Sequence, residues 1–153
     1  MDSRQSYTGI DNSYRYVSAA RLLKTTCKTF DVIQGDVSVE NWSNSIRNQQ
    51  FDAALALGLL HHLDDASVCN LLEGLRPFIS SGGRLYTVDP VITEASNRIA
   101  IWFAKNDRGK YLRVPLELEK LFKKCGYTPK IELKQKQFRI PLDTVEITAA
   151  SSS

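Results

Sequence analysis

The sequence predicts an α/β fold with a doubly wound, mostly parallel β-sheet. Segments with strand-like and helix-like patterns alternate along most of the chain, which is the order of a parallel sheet connected by helices. The segment DAALALG at 52–58 is apolar after its first residue, as expected of a central parallel strand that is buried on both faces. Near the C-terminus, KIELKQKQFRI and DTVEITAA alternate polar and apolar residues and predict an antiparallel closing pair of strands.

The first predicted elements follow from local signals. SYTGID at 6–11 has the residues of a short strand, and NSYRYVSAARLLK at 12–24 has the apolar spacing of a helix. Asn12 or Ser13 is the expected N-cap, because either side chain can accept a hydrogen bond from the first helical turn. The predicted apolar face of this helix comprises Tyr16, Val17, Ala20 and Leu23. FDVIQGDV at 30–37 is the second predicted strand.

One helix is predicted before the apolar strand at 52–58 and another after it. Residues 41–49 are polar and predict a short helix. ASVCNLLEGLRPF at 66–78 predicts a longer one, with Asp64 or Asp65 as its cap and Pro77 at its end. Its apolar residues fall at helical spacing and are Val68, Leu71, Leu72 and Leu75.

The last third of the chain is predicted from turns and helix-ending residues. SSGG predicts a tight turn before the strand RLYTVD at 84–89, which Pro90 should end. A helix is predicted over residues 92–105. PLELEKLFKKCG at 115–126 predicts another, with a proline in its first turn and a glycine just past its end.

Composition and charge limit the partners that we expect. The 153 residues carry a net charge of +3, and residues 105–153 hold 11 Lys and Arg against 6 Asp and Glu. Because these basic residues are not interleaved with aromatic residues, we interpret them as a solvated surface and expect no nucleic-acid partner, with an anionic partner as the alternative.

Three further features favour a cytoplasmic protein. No apolar run is long enough to span a bilayer, and no signal peptide is visible, so we expect a cytoplasmic chain with no membrane partner. The three cysteines, Cys27, Cys69 and Cys125, are far apart in sequence and odd in number, which predicts free thiols in a reducing compartment rather than a disulfide framework.

The ends of the first three predicted strands carry a family resemblance. One strand ends in Asp11, the next ends in Gly35-Asp36, and the apolar strand runs into LLHHLDD. The following LLEGLRPFISSGGRLYTVDP completes the ordered series. Together these segments resemble the class I S-adenosylmethionine-dependent methyltransferases, which implies a Rossmann-like fold and methyl transfer from S-adenosylmethionine to an O, N or C acceptor.

The resemblance also implies which residues hold the cofactor. Asp11 would accept hydrogen bonds from the two ribose hydroxyls, since a carboxylate presents two oxygens to a vicinal diol. Asp36 would accept from the adenine amine, with the Val37 backbone N–H near the ring. Gly58 would let the backbone approach the ligand closely. Three residues, Ile10, Asn12 and Leu60, would flank the adenosine.

The chain departs from the family pattern at its N-terminus. The family's first strand, its glycine-rich turn and its first helix are absent, and that strand would lie between the strands at 6–11 and 52–58. Both strands are therefore expected to have unpaired edges. We expect an incomplete methyltransferase-like domain over 1–149 and a disordered tail over 150–153. The chain could be a fragment, be completed by dimerisation or a partner chain, or be a non-catalytic interaction module.

The segment HHLDD has three interpretations. A metal site would need its ligands to converge on one point, and adjacent residues diverge, so we predict no metal. His61 could instead be a general base, because histidine titrates near neutrality and a methyl acceptor can need deprotonation. In the third interpretation one histidine lines the site and the other packs or caps the helix. His61 is the predicted catalytic residue.

The segment IAIWFAKNDRGKYLR could shape the acceptor pocket. Its aromatic residues are Trp102, Phe103 and Tyr111. Aromatic residues at helical spacing are also typical of a core, and both interpretations stay open. The DRGKYLR part predicts a loop at the rim of the pocket. A nicotinamide-dependent dehydrogenase is disfavoured because no GxGxxG precedes a helix.

Overall fold

The computed structural model describes residues 3–46, 48–93, 96, 110–134 and 143–151. The chain divides into two compact units, Met1–Arg47 and Asn48–Ser153. Among the described residues, no helix combines the length and the apolar character that a transmembrane span requires.

The first unit contains a two-stranded parallel sheet. Strand β1, Ser6–Asp11, pairs with β2, Thr29–Gln34, in a register that places Asp11 opposite Gln34. Helix α1, Tyr14–Arg21, connects them, and a short 3₁₀ helix, Trp42–Ile46, follows β2. The predicted strands and helices of this unit are therefore present, with the predicted polar helix at 41–49 formed as a 3₁₀ turn.

The apolar face predicted for α1 is only partly buried. Val17 is buried, but Tyr16 and Leu23 are mostly exposed. Leu23 also lies beyond the last residue of the helix. The prediction was wrong for these two residues. Periodicity identifies the apolar face of a helix, but that face is buried only where another element covers it. A sheet of two strands is too narrow to cover the whole face of α1.

The second unit contains a four-stranded mixed sheet in the order β3-β4-β6-β5. Strand β3 pairs with β4 in parallel, and the other two pairings are antiparallel. The bounds are β3 Phe51–Leu57, α2 Asp65–Leu75, β4 Ile79–Val91, α3 Pro115–Lys124, β5 Tyr127–Lys134 and β6 Asp143–Ser151. This arrangement confirms the predicted α/β class and the antiparallel C-terminal pair.

One face of the sheet and the two helices form the core of the second unit. Its fully buried residues include Leu72 of α2, Phe122 of α3 and Leu85 of β4. The Tyr127 hydroxyl donates to the Leu72 carbonyl at 2.8 Å and joins the start of β5 to α2. Burial raises the pKa of Tyr127, so this hydroxyl stays protonated and remains a donor.

Strand β3 is not buried on both faces, which corrects the prediction. Ala56 is buried, but Leu55 and Leu57 are 63% and 62% exposed. Tyr86 lies opposite Leu55 on β4 and is also exposed. We call Leu55, Leu57 and Tyr86 the outer patch. Along its other edge, β3 has no strand partner among the described residues. An apolar run favours burial but does not provide the element that would cover it.

Strand β4 is longer than the sequence predicted. It includes Gly82 and Gly83, where the β3–β4 register shifts, so the glycine pair forms an irregularity within the strand rather than a turn before it. It also continues past Pro90, which pairs with Thr144 of β6. On the β3 side, pairing ends at Val88, so a residue without an N–H is tolerated there.

The C-terminal predictions are confirmed in type, with some differences in bounds. Helix α3 begins at Pro115, and Gly126, just past its end, has a φ of +77°. Strand β6 continues through Ser151, so Ala150 and Ser151 are paired with β5 instead of belonging to a disordered tail. Most of the helix predicted at 92–105, with Trp102 and Phe103, lies outside the described residues.

Candidate functional site

The two predicted cofactor carboxylates lie at neighbouring strand ends in the first unit. Because β1 and β2 are parallel, their carboxyl ends lie at the same edge of the sheet. The Gly35 N–H donates to the Asp11 carbonyl at 3.0 Å, which fixes the start of the Gly35-Asp36 segment beside Asp11. The tertiary structure therefore brings Asp11 and Asp36 to one edge, where open α/β sheets bind ligands.

The Asp11 carboxylate also organises the turn into α1. Its Oδ1 accepts from the Ser13 N–H at 2.7 Å. Ser13 is the N-cap, and its hydroxyl accepts from the Tyr16 N–H at 3.4 Å. Asp11 itself is therefore not the cap. One carboxylate oxygen is held by the turn, which gives the group a fixed position.

The remaining predicted residues of the first unit lie beside these carboxylates. Asp36 is exposed, and its Oδ1 accepts from both the Ser38 N–H at 2.9 Å and the Ser38 hydroxyl at 2.6 Å. Val37 is half-buried and Asn12 is exposed. The Asp36 carboxylate is thus held by its own loop, as an Asx turn, while its side chain faces solvent.

In the second unit, β3 ends at a glycine with a left-handed backbone. Gly58 has a φ of +61°, which favours glycine, and its N–H donates to the Val88 carbonyl at 2.7 Å. A Cβ at this position would lie 3.8 Å from His61 Cε1. The chain then turns through a 3₁₀ helix, Leu60–His62, in which Leu60 is fully buried.

His61 forms a buried pair with Asp89. Its Nδ1 lies 2.9 Å from Asp89 Oδ1, and its backbone N–H donates to the same oxygen at 3.2 Å. The two side chains are 5% and 2% exposed. A carboxylate can only accept, so Nδ1 carries a proton and, in the neutral imidazole, Nε2 has the lone pair. This tautomer is the one that a general base acting through Nε2 requires. Nε2 is itself buried, so an acceptor reaches it only after the side chains around it move.

The neighbouring polar residues of HHLDD have different roles. His62 is exposed, and the centroids of the His61 and His62 rings are 4.0 Å apart. Asp64 is the N-cap of α2 and accepts from the Ser67 N–H at 2.8 Å, a bond that holds the pKa of this carboxyl below its usual value. Within the described residues, no group of three or more His, Cys, Asp or Glu side chains could hold a metal ion.

A buried arginine holds the loop that contains His61. Arg113 donates to the Leu60 carbonyl at 2.8 Å and to the Leu63 carbonyl at 2.7 Å, and its Nε donates to Asp65 Oδ1 at 2.8 Å. The Tyr111 N–H donates to the His61 carbonyl at 3.0 Å. The segment just before α3 therefore fixes the backbone on both sides of His61.

Sequence reasoning missed Asp89 and Arg113. A carboxylate within the apolar strand LYTVDPV is a signal that could have identified Asp89, because a buried carboxylate needs a partner. No local signal marks Arg113, which lay in a segment predicted as a rim loop. The predicted residues fall into two groups: Asp11, Asn12, Asp36 and Val37 in the first unit, and Gly58, Leu60 and His61 in the second.

Comparison with solved structures identifies the fold. A SAM-dependent methyltransferase from Methanosarcina mazei matches with a TM-score of 0.65 at 18% identity, over 97% of this chain and 83% of that chain. Human N-acetylserotonin methyltransferase in complex with SAM matches with a TM-score of 0.67 at 16% identity, over 97% of this chain and 40% of that chain. LepI in complex with SAM matches with a TM-score of 0.72 at 14% identity, over 97% of this chain and 37% of that chain.

The fold is that of the class I S-adenosylmethionine-dependent methyltransferases, with a Rossmann-like α/β architecture. The chain spans well under half the length of the human and LepI chains that it matches. No protein-family model matches the sequence, and no curated protein matches it. Another matching structure, with a TM-score of 0.71, is described as a pericyclic reaction enzyme, so the fold does not by itself define the reaction.

Proposed function

We propose that this chain binds S-adenosylmethionine and transfers its methyl group to a hydroxyl acceptor, with His61 as the general base. The observation that carries the proposal is the buried His61–Asp89 pair, with Nδ1 and Oδ1 2.9 Å apart. A hydroxyl is a poor nucleophile until it loses its proton, so a base is useful for this acceptor class. The family resemblance also allows an N or C acceptor, but no feature of the described residues favours either.

The donor set at the sheet edge of the first unit fits the adenosine part of the cofactor. Asp11 and Asp36 supply carboxylate oxygens at neighbouring strand ends, and such oxygens suit ribose hydroxyls and an adenine amine. Asn12 and Val37 would flank that end.

The proposed mechanism gives the two residues of the pair different roles. When bound, S-adenosylmethionine supplies a methyl group activated by the positive sulfonium. His61 Nε2 takes the proton of the acceptor hydroxyl, and Asp89 is a positioning residue that fixes the tautomer and stabilises the imidazolium as it forms. Proximity and alignment supply the remaining rate enhancement.

Calorimetric titration of the full chain with S-adenosylhomocysteine tests cofactor binding. We expect binding in wild type and a Kd raised by roughly 10–100-fold in Asp11→Ala, because about 1.5–3 kcal/mol is lost with each hydrogen bond to a charged group. Asp31→Ala is the matched control, since Asp31 is an exposed carboxylate on β2. Absence of binding to the folded chain, or equal affinities for both variants, would contradict the proposal.

A second candidate function is an interaction module, and one observation favours it. The edge of β3 has no strand partner among the described residues, and the outer patch beside it exposes Leu55 and Leu57. Open edges and contiguous apolar surfaces mark association sites. A second copy of the chain is the simplest partner, because a two-fold axis can pair identical edge strands antiparallel.

The mass of the chain in solution tests the interaction-module candidate. The interaction-module proposal expects a dimer by sedimentation that Leu55→Glu/Leu57→Glu converts to monomer, because two charges oppose burial of the patch. Leu116→Glu on α3 is the control, since Leu116 is similarly exposed away from the patch. A wild-type monomer across the accessible concentration range would exclude this candidate.

A further inference from the structure

Two of the three cysteines meet in the second unit, although 56 residues separate them in sequence. Cys69 lies within α2 and Cys125 is the C-cap of α3. Their Sγ atoms are 2.7 Å apart, and both cysteines are free. The S–S bond of a disulfide is about 2.05 Å long, so the two sulfurs need to approach by only about 0.7 Å.

The backbone around the two cysteines is held by an independent contact. Tyr127 follows Cys125 by two residues, and its hydroxyl donates to the carbonyl of Leu72, which is one helical turn beyond Cys69. Tyr127 and Leu72 are both fully buried. The proximity of the sulfurs therefore rests on packed elements rather than on two mobile side chains.

The two thiols differ in their access to solvent. Cys125 is 2% exposed, whereas Cys69 is half-buried. Burial, with the neighbouring Cys69 as the second cause, raises the pKa of the Cys125 thiol to about 12. An oxidant in solution would therefore meet Cys69 first, and Cys125 is placed to react with it next.

We propose that Cys69 and Cys125 are a modification site, at which a reversible intramolecular disulfide ties α2 to the end of α3. The oxidant is a low-molecular-weight disulfide such as oxidised glutathione. This inference does not depend on methyl transfer.

The reaction is a pair of thiol–disulfide exchanges. The Cys69 sulfur, as its thiolate, attacks one glutathione sulfur, breaks the glutathione disulfide and releases one glutathione. The Cys125 sulfur, after losing its proton, attacks Cys69 Sγ and releases the second glutathione. Two protein thiols are oxidised, one glutathione disulfide is reduced, and both protons end on the released glutathione thiols.

The disulfide should restrain the helix that follows the His61 loop. Helix α2 begins at Asp65, directly after the Asp64 cap, and Cys69 lies just over one turn further on. A disulfide between Cys69 and Cys125, which are 56 residues apart in sequence, would close a long loop and so lower the entropy of the unfolded chain. We therefore expect oxidation to raise the thermal midpoint by roughly 5–10 °C and dithiothreitol to reverse the rise.

The test treats the full chain with oxidised glutathione and maps its disulfides by mass spectrometry under non-reducing conditions. We expect a peptide that links residues 69 and 125, with the loss of two hydrogen atoms. Cys27→Ser is the matched control and should behave as wild type. Cys125→Ser should instead retain one glutathione on Cys69 and show no rise in thermal midpoint on oxidation.

Comparing each variant with itself before and after oxidation keeps the test valid if a substitution lowers stability. An oxidised wild-type chain without the 69–125 peptide would overturn the proposal. Pairing of either cysteine with Cys27 or with another chain would also overturn it, as would a rise in thermal midpoint that Cys125→Ser retains.

Discussion

Replacing His61 with glutamine is expected to slow methyl transfer by about 10²–10⁴-fold, the usual contribution of a general base. Glutamine cannot take the proton of a hydroxyl acceptor, so the loss should fall on the chemical step. The measurement is release of S-adenosylhomocysteine, with the best acceptor from a screen of hydroxyl-bearing small molecules. The affinity for S-adenosylhomocysteine should stay within about threefold of wild type, because the proposed adenosine contacts are elsewhere.

His62→Gln is the matched control for this prediction. His62 is the adjacent histidine but is exposed, whereas His61 is buried against Asp89. We expect His62→Gln to retain near wild-type turnover. Asp89→Asn should reduce turnover without changing the affinity for S-adenosylhomocysteine, since it acts through His61. Equal losses in His61→Gln and His62→Gln would contradict the assignment of His61 as the base.

Replacing Arg113 with methionine is expected to destabilise the second unit by about 3 kcal/mol, since charged donors are lost and buried carbonyls are left without them. Arg113 is buried and donates to the carbonyls of Leu60 and Leu63. Methionine keeps most of the apolar length of the side chain, so the change removes the hydrogen bonds and the ion pair with Asp65 with little loss of packing. Urea unfolding measures the free energy, and hydrogen exchange should show faster amide exchange over residues 59–65.

Arg84→Met provides the comparison for Arg113→Met. Arg84 is half-buried, whereas Arg113 is buried. Arg84 also donates to two carbonyls, but these belong to Gly82 and Gly83, its close neighbours in sequence. Loss of these local bonds should cost less than about 1 kcal/mol. If the two variants lose similar stability and the 59–65 amides remain protected, Arg113 does not hold the His61 loop.

Local signals predicted most secondary structure and part of the site. The bounds of β1 match the prediction, Ser13 is the N-cap of α1, and α3 begins at Pro115. These features depend on residues within a few positions of each other, where capping and proline geometry act. His61 was recognised for the same reason, because its position directly after an apolar strand is visible in the sequence.

The sequence by itself determined the order of strands and helices and the strand ends at which Asp11, Asp36 and His61 lie. Only the tertiary structure decided that Asp89 pairs with His61, that Arg113 holds the loop, and that Cys69 meets Cys125. It also decided that Leu55 and Leu57 are exposed. Periodicity and capping act over a few residues, whereas these features depend on which distant segments pack together, which the pattern of one segment does not encode.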